Sequence, residues 1–134
     1  MIAAAGLLAS ACCCGNKYEM GTYGYDLKYL ADKGFETVEL KSGDGQSKVM
    51  ISPALQGRVM TSTTKGDKGA SYGWINYRFI EAGEISSQFN PYGGEERFWI
   101  GPEGGPNSWY FAKDAEQVYE NWVVPAGIDT EAYE

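Results

Sequence analysis

"FETVELKSGDGQSKVMISP", running from Phe35 to Pro53, is the stretch whose reading decides the fold class. Phe35, Val38 and Leu40 approximate alternate spacing on its first arm, and Val49 with Ile51 supply it on the second. That period fits a pleated strand, whose successive side chains point to opposite faces. Between the arms, Ser42-Gly43-Asp44-Gly45 carries the glycines that a tight hairpin turn needs for positive φ. Pro53 ends the second arm, because it has no N–H to give to a ladder. The stretch predicts an antiparallel β-hairpin.

Working outward, "LQGRVMTSTT" (Leu55–Thr64) gives a third strand, with β-branched Val59, Thr61, Thr63 and Thr64. Upstream, a Gly- and Tyr-rich lead-in covers Tyr18 to Tyr25, and "YDLKYLADKG" (Tyr25–Gly34) then reads as a short helix. Asp26 is placed to cap it, Leu27, Leu30 and Ala31 form one apolar stripe, and Gly34 stands where helices end. Downstream of the "GDKGAS" loop, "YGWINYRFIEAG" (Tyr72–Gly83) reads as a helix, with Ile75, Phe79 and Ile80 clustering, or as a broken strand, and a second short helix is the preferred reading. Further β segments are expected at Arg97–Ile100, Ser108–Ala112 and Trp122–Pro125. A chain of 134 residues accommodates one domain, and its 18 glycines and 10 tyrosines favour strands joined by many turns. The expected fold is mainly β, an antiparallel sandwich with one or two short helices.

Composition closes several functional classes. A net charge of −7 without a Lys/Arg cluster excludes nucleic acid as a partner, since phosphate binding leans on concentrated positive charge. Histidine is absent, which removes His-based acid–base catalysis, catalytic triads and His-ligated metals. The three cysteines are consecutive, Cys12 to Cys14, so no metal-binding or redox spacing exists. No cofactor and no metal is expected.

Residues 1–16, "MIAAAGLLASACCCGN", read as an address. The apolar run from Ile2 to Ala11 is about ten residues, short of the roughly 20 that span a bilayer and close to a signal-peptide core. Ala9-Ser10-Ala11-Cys12 resembles a bacterial lipoprotein cleavage box, in which a small residue precedes the cysteine that takes lipid. The box has Ala9 where Leu is usual, and no Lys or Arg precedes the run. Cys12 is the expected lipidation site, and residues 17–134 are the expected mature domain. No acidic run follows the cysteines, which favours the periplasmic side.

The densest unusual chemistry lies in "GGEERFWIGPEGG" (Gly93–Gly105). Read as a strand from Glu95 to Ile100, it points Glu96, Phe98 and Ile100 towards the core and Glu95, Arg97 and Trp99 outward. Acid, guanidinium and indole on one face, roughly 6–7 Å apart, suit a polyhydroxylated ligand. The guanidinium and acid can bond hydroxyls while the ring covers the C–H face of a sugar. Asn90 and Asn107 flank the stretch with neutral donors and acceptors, and Trp109 is the second aromatic platform. The plainer alternative is a surface strand with an Arg–Glu pair and turn glycines. Glu95 or Glu96 with Glu103 has the residue types of an acid–base pair, though a solvated acid is the ordinary role in so acidic a chain.

"YGYDLKYL", "VELKSGDGQSKVMISPALQGRVMTST", "YGWIN", "NPYGGEERFWIGPEGG" and "GIDTEAY" resemble, in this order, a family of bacterial lipoproteins, mostly from Bacteroidota, with a galactose-mutarotase-like β-sandwich. The resemblance runs from Tyr23 to about Tyr133. Members of that family are considerably longer, so it implies that this chain is the N-terminal portion of an incomplete sandwich. The wider superfamily includes aldose 1-epimerases, in which an Arg helps to hold the sugar; Arg97 is similar in place. Their acid, a His, and their base, a Glu, come later in the chain, and this sequence has no His. Together these readings lead to an expected lipid-anchored envelope protein that binds a carbohydrate through Arg97, Trp99, Glu95, Asn90, Glu103 and Trp109, with no catalytic residue assigned. The alternatives are a fragment of a carbohydrate-converting enzyme, and a structural or assembly lipoprotein.

Overall fold

The structure, a computed structural model, describes residues 17–134; the segment expected as a leader, with Cys12, lies outside the described residues. The fold is mainly β, small and sandwich-like, with antiparallel sheets and two short α-helices. Strands β1 (Val38–Lys41), β2 (Lys48–Ser52) and β3 (Arg58–Thr63) form one sheet in that order. The hairpin lies where the alternation and turn glycines place it, with Val38 opposite Ile51 and Leu40 opposite Val49. In the β2–β3 pairing the register shifts, so Met50 faces Thr61 while Ile51 faces Val59. Met60 is the extra residue of this bulge, and both it and Thr61 are fully buried.

Helix α1 (Tyr23–Asp32) covers one face of the sheet. Tyr23, Leu30, Met50, Leu55, Met60, Ile75, Ile80 and Tyr92 form the main core. Tyr23 also reaches across to β1, its hydroxyl donating to Glu39 Oε2 at 3.1 Å. Thr22, not Asp26, caps the helix: its Oγ1 accepts from Tyr25 N at 3.4 Å. Asp26 is buried in the first turn instead, where the hydroxyls of Ser71 and Tyr77 both donate to its carboxylate. The helix ends as expected, with Gly34 at φ +82° just beyond its last turn.

The segment predicted as a second helix divides in two. Trp74–Ile75 is strand β4, pairing with β5 (Gly93–Gly94), and α2 follows from Tyr77 to Ala82. Asn76 makes the division: its Oδ1 accepts from Phe79 N at 3.2 Å as the helix cap, and its Nδ2 donates to the Pro91 carbonyl at 2.8 Å.

The β segments expected at Arg97–Ile100, Ser108–Ala112 and Trp122–Pro125 are irregular chain. Pro102 and Pro106 withhold N–H groups and the stretch Gly93–Gly105 contains five glycines, itself beginning and ending on one, so no ladder is sustained there. A second core holds this part together, with buried Tyr110, Val124 and Ile128 packed against Phe89, Trp99, Ile100, Phe111 and Trp122. Its rings interlock, Tyr110 stacking on Trp122 with centroids 5.6 Å apart and nearly parallel planes.

Candidate functional site

Gly93 and Gly94 take φ of +89° and +114°. A Cβ on Gly93 would stand 2.1 Å from the Trp74 carbonyl oxygen, and one on Gly94 2.8 Å from Arg58 Cδ. The close approach these glycines permit is therefore to the protein's own strands. Glu95 and Glu96 bond back to Val59, after which the chain leaves the sheet.

The expected alternation then fails. Phe98, predicted inward, is 62 % exposed. Arg97 and Trp99 do share a side, as expected, and the Arg97 Cζ lies 4.4 Å from the Trp99 ring centroid. That side meets protein, not open solvent. Arg97 Nη2 donates to the Ile128 carbonyl and stands 3.7 Å from Asp129 Oδ1. Its side chain is 19 % exposed. Trp99 packs edge-on to Phe89 and against Tyr110, and its Nε1 donates to Glu103 Oε1 at 2.8 Å.

Asn90 is fully buried beneath this pair. Its Nδ2 donates to Asp129 Oδ2 at 2.7 Å and to the Ser86 carbonyl at 2.9 Å, while its Oδ1 accepts from Ser86 N at 2.8 Å. Of the residues singled out from the sequence, Arg97, Trp99, Glu103 and Asn90 thus meet around Asp129 and the second core. Glu95 stands apart on the surface of β3, accepting from Ser62 Oγ at 2.8 Å.

Two charged residues of this cluster carry no sequence signal that marks them. Arg58 opens β3, is 2 % exposed, and donates through Nη1 to the Gly93 carbonyl at 2.7 Å. Its guanidinium lies over the Tyr92 ring with 5.8 Å from Cζ to the centroid. Burial pulls the Arg58 pKa down to about 10, the Arg97 charge adds to that, and the Asp129 carboxylate opposes it. Arg97 is likewise held below its ordinary value by burial, again against Asp129. Asp129 is the shared counter-ion of two desolvated guanidiniums. Its position in "GIDTEAY" shows only that it follows an apolar residue, and its role emerges from a contact 39 residues away in the chain.

Beside the Arg97–Asp129 pair opens a cleft of about 630 Å³. Ile85, Ser86, Trp109, Asn121, Asp129 and Thr130 are among its lining residues. Trp109, expected as the second platform, is 68 % exposed there. The cleft therefore combines an exposed indole with hydroxyl and amide groups, and buried Asp129 is the one charged residue in its lining. Among the described residues no group of three or more Asp, Glu or Cys is placed to hold a metal ion, and no helix is long and apolar enough to cross a membrane.

No curated protein and no solved structure gives a match to the chain. A family model described as a family of unknown function (DUF6786) matches residues 21–134, and with that span covered the chain belongs to this family.

Proposed function

We propose that the protein is a lipid-anchored component of the bacterial cell envelope, on its periplasmic side, that binds a carbohydrate in the cleft beside Trp109. The observation that carries the reading is the 68 % exposed Trp109 on a cleft of about 630 Å³ that also presents Ser86, Asn121 and Thr130. An indole covers the C–H face of a sugar ring, and hydroxyl and amide groups exchange hydrogen bonds with its hydroxyls. The volume falls within the range of small-molecule sites. Arg97 and Trp99 support the cleft from beneath: Arg97 balances Asp129, which lines it, and Glu103 braces the Trp99 indole. The resemblance to mutarotase-like lipoproteins points to the same ligand class, and the reading is of binding, with no catalytic residue assigned. Cys12, behind Ala9-Ser10-Ala11, is the anchor of the proposal.

Titration calorimetry of the full chain against a panel of mono- and oligosaccharides tests the cleft. Trp109→Ala weakens binding about tenfold, or ~1.4 kcal/mol. Equal affinity of the variant and the parent for every bound sugar, or no binding across the panel, rejects the site. The anchor is tested separately, since Cys12→Ala abolishes incorporation of labelled fatty acid in a host that processes lipoproteins. Labelling that persists on this variant places the lipid elsewhere.

A further inference from the structure

Strand β1 is the outer strand of its sheet, and among the described residues nothing pairs with its free edge. Its four residues, Val38-Glu39-Leu40-Lys41, have a symmetry of their own. Ser42 N donates to Ser47 O at 2.9 Å in continuation of the hairpin register, so Leu40 and Val38 also bond inward to β2. Glu39 and Lys41 therefore turn their backbone N–H and C=O groups outward. Their side chains lie on the α1 side of the sheet, whereas Val38 and Leu40 lie on the opposite side, 45 % and 56 % exposed. On that face they continue into half-buried Val49 and Ile51 of β2.

We propose that this edge and face bind a second copy of the chain, β1 against β1 in antiparallel register about Leu40. In that register Glu39 of each copy stands opposite Lys41 of the other, and these are the positions whose backbone groups point outward. Each Glu39–Lys41 pair exchanges two backbone hydrogen bonds, as an antiparallel pair of that parity does. It also sets a carboxylate against an ammonium across the strands, twice per dimer. Leu40 meets Leu40 in the closer, non-hydrogen-bonded spacing, and the apolar faces of the two sheets merge. The contact is isologous, one patch complementary to itself, which is what a closed two-fold dimer requires. Shifting the register by one residue would set Glu39 against Leu40 and Lys41 against Val38, losing both charge pairs and the alignment of the faces. A lysine on an exposed edge commonly guards against pairing with other chains. Here the glutamate two residues away makes that lysine compatible with one partner, its own copy. Within one copy Glu39 is positioned 3.4 Å from Lys48 and bonded by the Tyr23 hydroxyl, and its own Lys41 stands 3.4 Å from Oε1, a contact that the pairing exchanges for one with the Lys41 of the other copy.

Sedimentation equilibrium of the full, unlipidated chain under reducing conditions tests this; the reductant keeps Cys12–Cys14 from cross-linking copies. The expected result is a reversible monomer–dimer equilibrium. Leu40→Asp and Lys41→Glu each weaken it about tenfold or more, with circular dichroism and thermal midpoint of the monomer unchanged. Lys41→Glu chains mixed with Glu39→Lys chains regain association that neither shows alone, because every cross-strand pair is then of opposite charge. A mass of one chain at all concentrations overturns the proposal, as does a dimer indifferent to both Leu40→Asp and Lys41→Glu. If Glu39→Lys fails to fold, these two variants alone decide the question.

Discussion

Asn90 and Asp26 show how much of this molecule depends on polar side chains placed inside it. Asn90 makes three hydrogen bonds and is the only side chain bonded to Asp129 Oδ2 among the described residues. Asn90→Ala leaves a buried carboxylate oxygen and two backbone groups without partners. The expected cost is about 3 kcal/mol, read from urea unfolding. Asp26 is a different case. Burial raises its pKa, while the hydroxyls of Ser71 and Tyr77 work against that rise. The native state thus holds the Asp26 proton more tightly than the unfolded chain does. The contribution of Asp26 to stability is fullest below the ordinary carboxyl pKa and falls as pH rises through the raised value. Asp26→Asn removes this dependence, so the variant gains stability relative to the parent as pH rises from about 4 towards neutrality. Unfolding free energies that differ by the same amount at each pH would exclude this account.

The elements differ in how openly the sequence declares them. The hairpin is legible because alternation, turn glycines and Pro53 agree, and β3 follows from its β-branched run. Helix α1 is legible in position but not in its cap. Asp and Thr both cap helices, and only the fold decides that Thr22 faces the helix end while Asp26 turns inside. The Tyr72–Gly83 segment mixes periods because it is two elements joined at Asn76. That residue caps α2 and ties it to Pro91, so Asn76→Ala should cost about 2 kcal/mol in chemical denaturation. A loss below a few tenths of that would mean the cap and the tether are both dispensable. The strand expected at Arg97–Ile100 is absent for a reason the local pattern does not contain. Alternation predicts which side chains share a side, and Arg97 and Trp99 do, but it is blind to what covers that side. Ile128 and Asp129 arrive there from about thirty residues downstream.

At the scale of the whole molecule, two cores are joined by a layer of charge. One core is built on paired strands and α1; the other is a cluster of rings in irregular chain with few backbone bonds between segments. Val123 N to Tyr110 O and Val124 N to Gln88 O are among those few. Local opening follows such differences, so the amides of Val123 and Val124 should exchange with solvent faster than the ladder amides of β2 and β3. Equal protection in both sets would mean that the molecule opens only as a single unit. The candidate cleft was legible in part: Trp109 stands in the sequence as the second aromatic platform, whereas Arg58 and Asp129 come from positions 71 residues apart in the chain. Four tryptophans are divided between these settings. Trp74 and Trp109 are exposed, while Trp99 and Trp122 are half-buried in the ring cluster. The protein consequently carries two built-in fluorescent probes of opposite kind: one pair open to a collisional quencher from the outset, the other shielded until the C-terminal cluster loosens.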